Sequence, residues 1–386
     1  MSKRASGEGS IYERSDGKWV AATAGEWIDG KLKRRKVVAA TQAEAVSRFK
    51  ALQKRIGEGG SVTADRLTVS MWLEQWLEKE ARPSVRPRTF DTYQAMVRQH
   101  LLPALGKHLL AKLEPTHVRD YMLARRAGEK GLSARTIQQH HAILRRALRV
   151  AQGYGYVNRN VAALVTPPTV KREEVAPMTA EQCGTFLTAV RGERFEPLYK
   201  VAMATGLRQS ELLGLRWVDV DLADATIRVT RTLQRYGGAY HLDETKTDRS
   251  RRTLAIAGPV VAALRDQQER QRAEQKECMR AGMPWQGAEW GLVFATETGG
   301  PLLYSEVTRK FQAALKSAEL PRFRFHDLRH GAATYLLSAG VELIVVQRIL
   351  GHSTIHTTAN VYAHVLPQLQ RDAAERIGAA LFGTGS

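Results

Sequence analysis

The hydrophobic residues near the start of the chain fall in short runs typical of strands. Residues 9–40 contain three such runs, separated by the hairpin-turn dipeptides Asp16-Gly17 and Asp29-Gly30. The spacing then changes to that of an amphipathic helix, which begins with a capping box at Thr41. The pattern predicts a three-stranded sheet followed by one helix, in a domain spanning residues 1–60.

The middle of the chain has the hydrophobic spacing of helices. It follows a Gly-rich joint at residues 57–65. Pro115 lies in the first turn of a predicted helix, a position at which proline is compatible with helical structure. We expect an all-helical domain over residues 61–167. Its four predicted helical segments are 67–80, 86–105, 114–127 and 133–155.

A Pro-rich, charged stretch at residues 166–179 marks the next boundary, and the last domain is expected to span residues 168–386. The predicted fold class is multidomain α/β (α+β). It combines the small sheet-plus-helix domain, the all-helical domain and a mixed, mainly helical domain with a small antiparallel sheet. The strand-like runs of the last domain are 225–236, 237–256 and 291–296.

The charge of the chain is strongly positive and uneven. The formal net charge is +19, and Lys plus Arg exceed Asp plus Glu by 13 − 7 = 6 over residues 1–60 and by 17 − 8 = 9 over residues 61–167. A polyanion is the natural partner, because each phosphate that Lys or Arg neutralises releases a condensed counterion. The charge is also compatible with a basic protein that binds no polyanion, but it favours nucleic acid as the partner.

Two clusters of basic residues are candidates for DNA contact. One lies on a predicted strand and its turn, near Trp19 and Trp27. A strand of this kind can enter the major groove, but charges also protect a sheet edge from aggregation. The other lies along the last predicted helix of the middle domain. Its arginines either face phosphate groups or form an ordinary solvated face. The clusters are Lys31, Lys33, Arg34, Arg35 and Lys36, and Arg135, Arg145, Arg146 and Arg149.

Other features of the composition exclude several classes of protein. Cys183 and Cys278 are too few for a disulfide framework and lack metal-ligand spacing, which fits a reducing cytoplasm. The opening MSKRASGEGS lacks the apolar segment of a signal peptide, and no uncharged stretch approaches bilayer length. We therefore expect a cytoplasmic protein with no membrane partner.

The segment HDLRH concentrates polar chemistry at the head of an apolar helix. Arg329 and His330 follow His326 by three and four residues, which places all three on one helical face. Leu328 and Ala332 are expected to face the core. Two histidines at this spacing can bind zinc. However, the glutamate of metalloprotease helices is missing and an arginine between the histidines would repel a cation, so no metal site is expected.

Four further residues do not indicate a catalytic site when each is considered alone. Arg208 lies beside a predicted helix N-terminus, where free amides favour an anion, although pairing with Glu211 is the ordinary explanation of an isolated arginine. Lys246 lies in a polar turn of an apparent hairpin. His352 follows the end of an apolar helix, and Tyr362 is one of eleven tyrosines.

In chain order these residues resemble the catalytic set of the tyrosine recombinases, the phage integrase family. The matching stretches are TGLRQSELLGLRW, TKTDRSRRTL, HDLRH, LGHS and TTANVYAHV, within about residues 175–365. Several ordered motifs are far more specific than any one of them, and none of the six catalytic positions departs from the pattern. The resemblance implies catalytic roles for Arg208, Lys246, His326, Arg329, His352 and Tyr362, and supporting roles for Glu211 and His330.

The resemblance also implies the chemistry. The oxygen of Tyr362 attacks a DNA phosphodiester, which gives a 3′-phosphotyrosyl link and a free 5′-hydroxyl. Two arginines offset the charge of the phosphate. Because the bond energy stays in the phosphotyrosine, no ATP, metal or other cofactor is expected. The implied roles are phosphate clamping for Arg208 and Arg329, general acid for Lys246, handling of the tyrosine proton for His326, and a phosphate hydrogen bond for His352.

The domain composition narrows the choice within this chemistry. Type IB topoisomerases are similar in chemistry, but a second DNA-clamping domain at residues 61–167 suits a recombinase. The family's phage and mobile-element integrases carry a small sheet-plus-helix domain that binds arm-type sites, which residues 1–60 match. The resemblance therefore implies integration and excision of a phage or mobile element in a bacterial host, at the nucleoid. The alternative is a catalytically disabled DNA-binding regulator or architectural protein on the same scaffold.

The resemblance implies several partners. They are double-stranded DNA with core and arm-type attachment sites, other copies of the chain in a homotetramer on two duplexes, an excisionase or directionality factor and a host DNA-bending protein. A terminal helix bears an apolar stripe that packs either on its own domain or on a neighbouring protomer, and both are left open. The stripe consists of Leu366, Leu369, Ala373, Ile377 and Leu381.

Overall fold

The chain forms two compact units, Met1–Arg172 and Glu173–Ser386. Their boundary falls inside the predicted Pro-rich connector, whereas the further division of the first unit near residue 60 stays a prediction. Among the described residues no helix is both long and apolar enough to cross a membrane. The computed structural model describes residues 10–23, 26–28, 31–33, 36–57, 66–128, 131–170, 177–245, 251–351, 374–375, 377–378 and 381–383.

The first unit begins with the predicted three-stranded sheet and helix. Strands β1, β2 and β5 pair antiparallel in the order β1-β2-β5, and the helix α1 packs Phe49 against Ala21 and Ala39 of the sheet. The strands β3 and β4 pair on either side of the predicted turn dipeptide Asp29-Gly30, but they form a two-stranded sheet of their own instead of joining the three-stranded one. The elements are β1 Ser10–Glu13, β2 Trp19–Ala22, β3 Glu26–Ile28, β4 Lys31–Lys33, β5 Lys36–Ala39 and α1 Gln42–Gly57.

The rest of the first unit is helical, as the pattern predicted. Trp72, Leu73 and Trp76 are fully buried at its centre, and the indole N–H of Trp72 donates to the carbonyl oxygen of Ala147 at 3.1 Å. Ser133 caps the 20-residue helix α7, Ala134–Gly153, through its hydroxyl. The helices are α2 Val69–Trp76, α3 Arg82–Ser84, α4 Pro87–Met96, α5 Leu102–Leu105, α6 Pro115–Arg126 and α7 Ala134–Gly153; π-helical turns occupy Leu77–Ala81 and Val97–Leu101, and 3₁₀ turns Leu110–Lys112 and Val161–Leu164.

The second unit is mainly helical around an aromatic core. Phe311 contacts Phe186, Tyr199 and Phe325 with ring centroids 5.3, 5.7 and 5.5 Å apart. Its helices are α8 Ala180–Ala189, α9 Glu196–Thr205, α10 Gln209–Leu213, α11 Gly258–Arg280, α12 Gly287–Trp290, α13 Tyr304–Ser317, α14 Asp327–Ser338 and α15 Leu343–Leu350, with a 3₁₀ turn at Trp217–Asp219. Its strands are β6 Val220–Asp221, β7 Thr226–Val229, β8 Arg231–Tyr236, β9 Ala239–Glu244 and β10 Arg252–Ala255.

Two details of the sheet differ from the prediction. β10 pairs with β7 in the order β10-β7-β6, whereas β9 pairs with β8, so the segment that contains Lys246 connects two different sheets instead of closing a hairpin. Residues 291–296 form isolated bridges instead of a strand. The side-chain amides of Gln267 and Gln271 on α11 bond the carbonyl groups of Leu292 and Val293, which replaces the strand ladder.

Candidate active site

Five of the eight predicted catalytic and supporting residues lie in the described part of the second unit. Two tight turns arrange them. Gly206 ends α9 and Gly351 ends α15, both with left-handed backbone at φ of 62° and 65°. The described residues are Arg208, Glu211, His326, Arg329 and His330, whereas Lys246, His352 and Tyr362 lie outside the described residues.

Arg208 and Glu211 form a closed pair at the start of α10. The Arg208 guanidinium donates to Glu211 Oε1 at 2.6 Å, and the Arg208 backbone N–H donates to Oε2 at 3.1 Å. The amide that was predicted to face an anion is therefore capped by a carboxylate. The Arg208 side chain remains 35% exposed, so it can still meet a ligand with its remaining N–H groups.

Glu211 holds a buried negative charge. Its side chain is 2% exposed, and Arg252 of β10 donates to Oε2 at 2.9 Å. Burial alone would raise the pKa of this carboxyl, but the guanidiniums of Arg252 and Arg208 and the Arg208 amide together lower it below its usual value. Glu211 is therefore ionised at neutral pH and orients both arginines.

Arg329 is buried, not exposed on a polar helix face as its spacing suggested. Its Nη1 donates to the carbonyl oxygen of Gly206 at 2.7 Å and its Nη2 to that of Leu350 at 2.6 Å. The residue is 2% exposed, on the same side of α14 as Ala332 and Ala333. Arg329 thus ties the end of α9 to the end of α15, and its orientation is fixed by backbone groups.

His326 and His330 lie at the start of α14 with their rings in a T-shaped contact, 5.0 Å between centroids. His326 has an exposed side, while protein atoms around its ring partly desolvate it. This desolvation, with the charges of His330 and Arg329, lowers the pKa of His326 to about 4. Burial also lowers the pKa of His330. At neutral pH the His326 imidazole is therefore uncharged, and one of its ring nitrogens has a free lone pair.

The buried carboxylate of Asp327 fixes the start of α14. It accepts from the Arg324 backbone N–H at 2.7 Å and from the Arg324 guanidinium at 2.8 Å. Its charge raises the pKa of His326 and His330, but less than burial lowers them. No group of three or more His, Cys, Asp or Glu side chains suited to a metal ion occurs among the residues that the structure describes.

Arg252 is a residue of the site that the sequence pattern did not indicate. It is the first residue of β10, and besides Glu211 its Nε donates to the carbonyl oxygen of Ile349 at 2.6 Å. It belongs to the basic run RSRR after Lys246, in which nothing distinguishes a buried arginine from its solvated neighbours. The strand register supplies the missing signal, since Arg252 pairs with Val229 in the sheet.

The predicted DNA-contacting residues lie in the first unit. The basic run at residues 31–36 does not lie on one strand: Lys31 and Lys33 are on β4, Lys36 is exposed on β5, and residues 34–35, Arg34 and Arg35, are outside the described residues. The four arginines of α7 are exposed and share one face of a helix that contains no Asp or Glu. They are Arg135, Arg145, Arg146 and Arg149.

One of these arginines is anchored by neutral groups. Arg146 donates to the hydroxyls of Tyr93 at 3.2 Å and Ser84 at 3.3 Å, and its guanidinium lies over the Tyr93 ring. Within the described residues, none of the four forms an ion pair. The face therefore keeps its full positive charge.

Two family models match this chain. Residues 177–368 match the model of the phage integrase family, and residues 68–122 match that of the phage integrase N-terminal SAM-like domain. A tyrosine recombinase XerC-like protein of Caldanaerobacter subterraneus subsp. tengcongensis is 30% identical over 375 residues, which cover 93% of this chain and 95% of the relative.

An integrase of Streptomyces ambofaciens is 31% identical over 391 residues, which cover 97% of each chain. The fold is similar to that of the Tn1549 transposon integrase, solved in complex with a circular intermediate DNA, with a TM-score of 0.67 and 24% identity over 81% of this chain and 99% of that chain. On the family model and the two relatives, this chain belongs to the phage integrase family of tyrosine recombinases.

Proposed function

We propose that the chain cleaves and rejoins DNA through Tyr362, at a phosphate held by Arg208 and Arg329. As a family member it is a site-specific recombinase of the integrase type. The observation that carries the proposal is the convergence of both guanidiniums on one helix end: each donates to a carbonyl group of residues 350–351, at 2.6 and 3.0 Å. His352 follows directly in the chain.

The arginines supply the charge that the reaction needs. As the tyrosine oxygen attacks phosphorus, negative charge grows on the nonbridging oxygens of a five-coordinate phosphate. Guanidiniums that are already oriented by protein groups offset this charge without reorganising during the reaction. Glu211 and the backbone carbonyls give Arg208 and Arg329 this fixed orientation.

Two proton transfers complete the strand cleavage. The phenol of Tyr362 loses its proton, for which the neutral imidazole of His326 is the acceptor. The phosphorus–oxygen bond to the 5′-oxygen then breaks, and Lys246 donates the proton that makes it a free hydroxyl. His352 donates a hydrogen bond to the phosphate. Rejoining reverses these steps on another strand, and the retained phosphotyrosine bond means that ATP and a metal ion are not needed.

The exposed arginine face of α7 is the candidate DNA clamp of the first unit. We expect Arg145→Gln combined with Arg149→Gln to weaken DNA binding about equally for all sequences. The slope of log affinity against log salt should fall by about two, because two phosphate contacts are lost. Fluorescence anisotropy of labelled duplexes at several salt concentrations measures this slope.

The matched control for this prediction is Arg280→Gln. Arg280 is exposed at the end of α11 and pairs with Glu277 on the same helix. It should leave both affinity and slope unchanged. An unchanged slope in the α7 double variant would mean that this face is solvated and does not contact phosphate.

The sheet-plus-helix module at residues 1–60 is the candidate arm-binding domain. Its deletion should preserve covalent cleavage of a core site but stop integration, because the catalytic residues all lie beyond residue 200. Gel-based cleavage of a core duplex and recombination between two plasmids measure the two activities. Integration at the full-length rate would refute the arm-binding role.

The assembly follows from the chemistry of exchange. Two recombining duplexes have four strands, and one tyrosine cleaves one strand, so four copies of the chain complete the reaction. On the terminal helix, Ile377 and Leu381 are 58% and 71% exposed, which suits docking on a neighbouring copy. An excisionase and a host DNA-bending protein are the proposed helpers for excision.

A further inference from the structure

Arg252 is buried between two parts of the active site that are distant in sequence. Its side chain is 7% exposed. The Nη2 atom lies 2.9 Å from Glu211 Oε2, and the Nε atom lies 2.6 Å from the carbonyl oxygen of Ile349. Burying a guanidinium is costly unless such groups match its donors, so these contacts fix the side chain in place.

Arg252 influences the orientation of Arg208 through Glu211. Glu211 Oε1 accepts from the Arg208 guanidinium, and Oε2 accepts from both the Arg208 amide and Arg252. Two guanidiniums thus share one buried carboxylate. Without Arg252, the carboxylate would either turn toward Arg208 or become protonated, and both changes would alter the orientation or charge balance of Arg208.

Arg252 also takes part in the capping of α15. The carbonyl groups at the end of a helix lack partners within the helix and carry its partial negative charge, so cations are favourable there. A Cβ atom at Gly351 would lie 2.9 Å from Arg252 Nη1, which leaves little room at this end. Each of the last carbonyls accepts from a different arginine: Ile349 from Arg252, Leu350 from Arg329 and Gly351 from Arg208.

We propose that Arg252 is a positioning residue for DNA cleavage, which orients Arg208 through Glu211 and holds the end of α15 that leads to His352. The inference rests on the proposed function and adds a residue to the same site. Because its guanidinium bonds to Glu211 and to the Ile349 carbonyl group, Arg252 acts on the residues that hold the phosphate.

Single-turnover cleavage of a nicked suicide DNA substrate tests the proposal. Arg252→Gln should cleave about tenfold to about 100-fold more slowly, since small displacements of catalytic groups have effects of this size. Its affinity for the uncleaved DNA should stay within about threefold of the wild type. In a Glu211→Gln background, Arg252→Gln should cost much less than it does alone, because the two residues act as a unit.

The pH profile separates positioning from a general loss of stability. Arg252 is one of the groups that lower the pKa of Glu211, so its removal raises that pKa and protonates the carboxyl at a higher pH. The cleavage rate of Arg252→Gln should therefore begin to fall at a higher pH than the wild-type rate as the pH is lowered. Equal acid limbs would contradict an action through Glu211.

Arg194→Gln is the matched control. Arg194 pairs with Glu274 and donates to the Ala295 carbonyl oxygen at 2.8 Å, so it bridges a carboxylate and a backbone group elsewhere in the same unit. We expect it to cleave at the wild-type rate. If Arg252→Gln cleaves as fast as Arg194→Gln, the inference is wrong.

Arg252→Lys keeps the positive charge and serves as a second test if Arg252→Gln does not fold. A lysine has no planar fork and cannot hold Glu211 and the Ile349 carbonyl in the same geometry, so its rate should lie between those of Arg252→Gln and wild type. Wild-type speed in a folded Arg252→Lys protein would overturn the bridging role. Absence of cleavage by wild type itself would refute the proposed function instead.

Discussion

A Tyr362→Phe protein should form no covalent adduct with DNA under conditions in which the wild type forms one. The phenyl ring lacks the oxygen that attacks phosphorus, so the loss should be complete, while DNA binding should stay within about threefold because one hydroxyl contributes little to it. The measurement is a covalent-trapping assay in EDTA on a library of nicked suicide substrates. Adducts that survive denaturation and carry the DNA by its 3′ end identify both the nucleophile and the recognition site.

Tyr304→Phe is the control for this experiment. Tyr304 is an exposed tyrosine at the start of α13, so the same hydroxyl is removed from the surface of the same unit. It should leave adduct formation unchanged. An adduct with Tyr362→Phe would place the nucleophile elsewhere, and wild-type cleavage that EDTA abolishes would contradict the metal-free mechanism. Firm binding without any wild-type adduct would favour a DNA-binding regulator.

The sequence predicted the elements whose signals are local. The proline expected in a first turn begins α6 at Pro115, and Ser133, where the predicted helical segment 133–155 begins, caps α7. Gly206 and Gly351 end α9 and α15 with left-handed backbone, and the second end agrees with the predicted end of the apolar helix before His352. In each case, one residue type determines the local backbone, so no tertiary contact is needed to predict it.

Features that depend on distant partners were not predictable in the same way. The run at residues 291–296 has the composition of a buried strand, but glutamines of α11 bond its carbonyl groups. Helical spacing placed Arg329 on a polar face, yet the carbonyl groups of Gly206 and Leu350 allow the guanidinium to be buried. Arg252 could not be distinguished from its basic neighbours. Helical and strand periodicity indicates which side chains share a face, and partners far along the chain decide what covers it.

Arg208→Ala should slow DNA cleavage by at least about 10²-fold to 10³-fold while leaving most of the DNA affinity, because its guanidinium matters most when charge develops on the phosphate. The fold should tolerate this change, since Glu211 keeps its ion pair with Arg252. Arg329→Ala should lose as much activity and also stability, because it leaves two buried carbonyl groups without a donor, at a cost of about 1–3 kcal/mol each. Single-turnover rates and denaturant unfolding measure the two effects.

A DNA with a methylphosphonate at the scissile position provides the decisive comparison for Arg208→Ala. This substrate lacks the nonbridging negative charge that the guanidinium is proposed to offset, so the difference in rate between Arg208→Ala and wild type should become smaller on it. An equal difference on both substrates would mean that Arg208 acts by shaping the site. If Arg208→Ala instead loses DNA binding, the arginine is an anchor, and the charge that develops in the reaction must be offset by other residues.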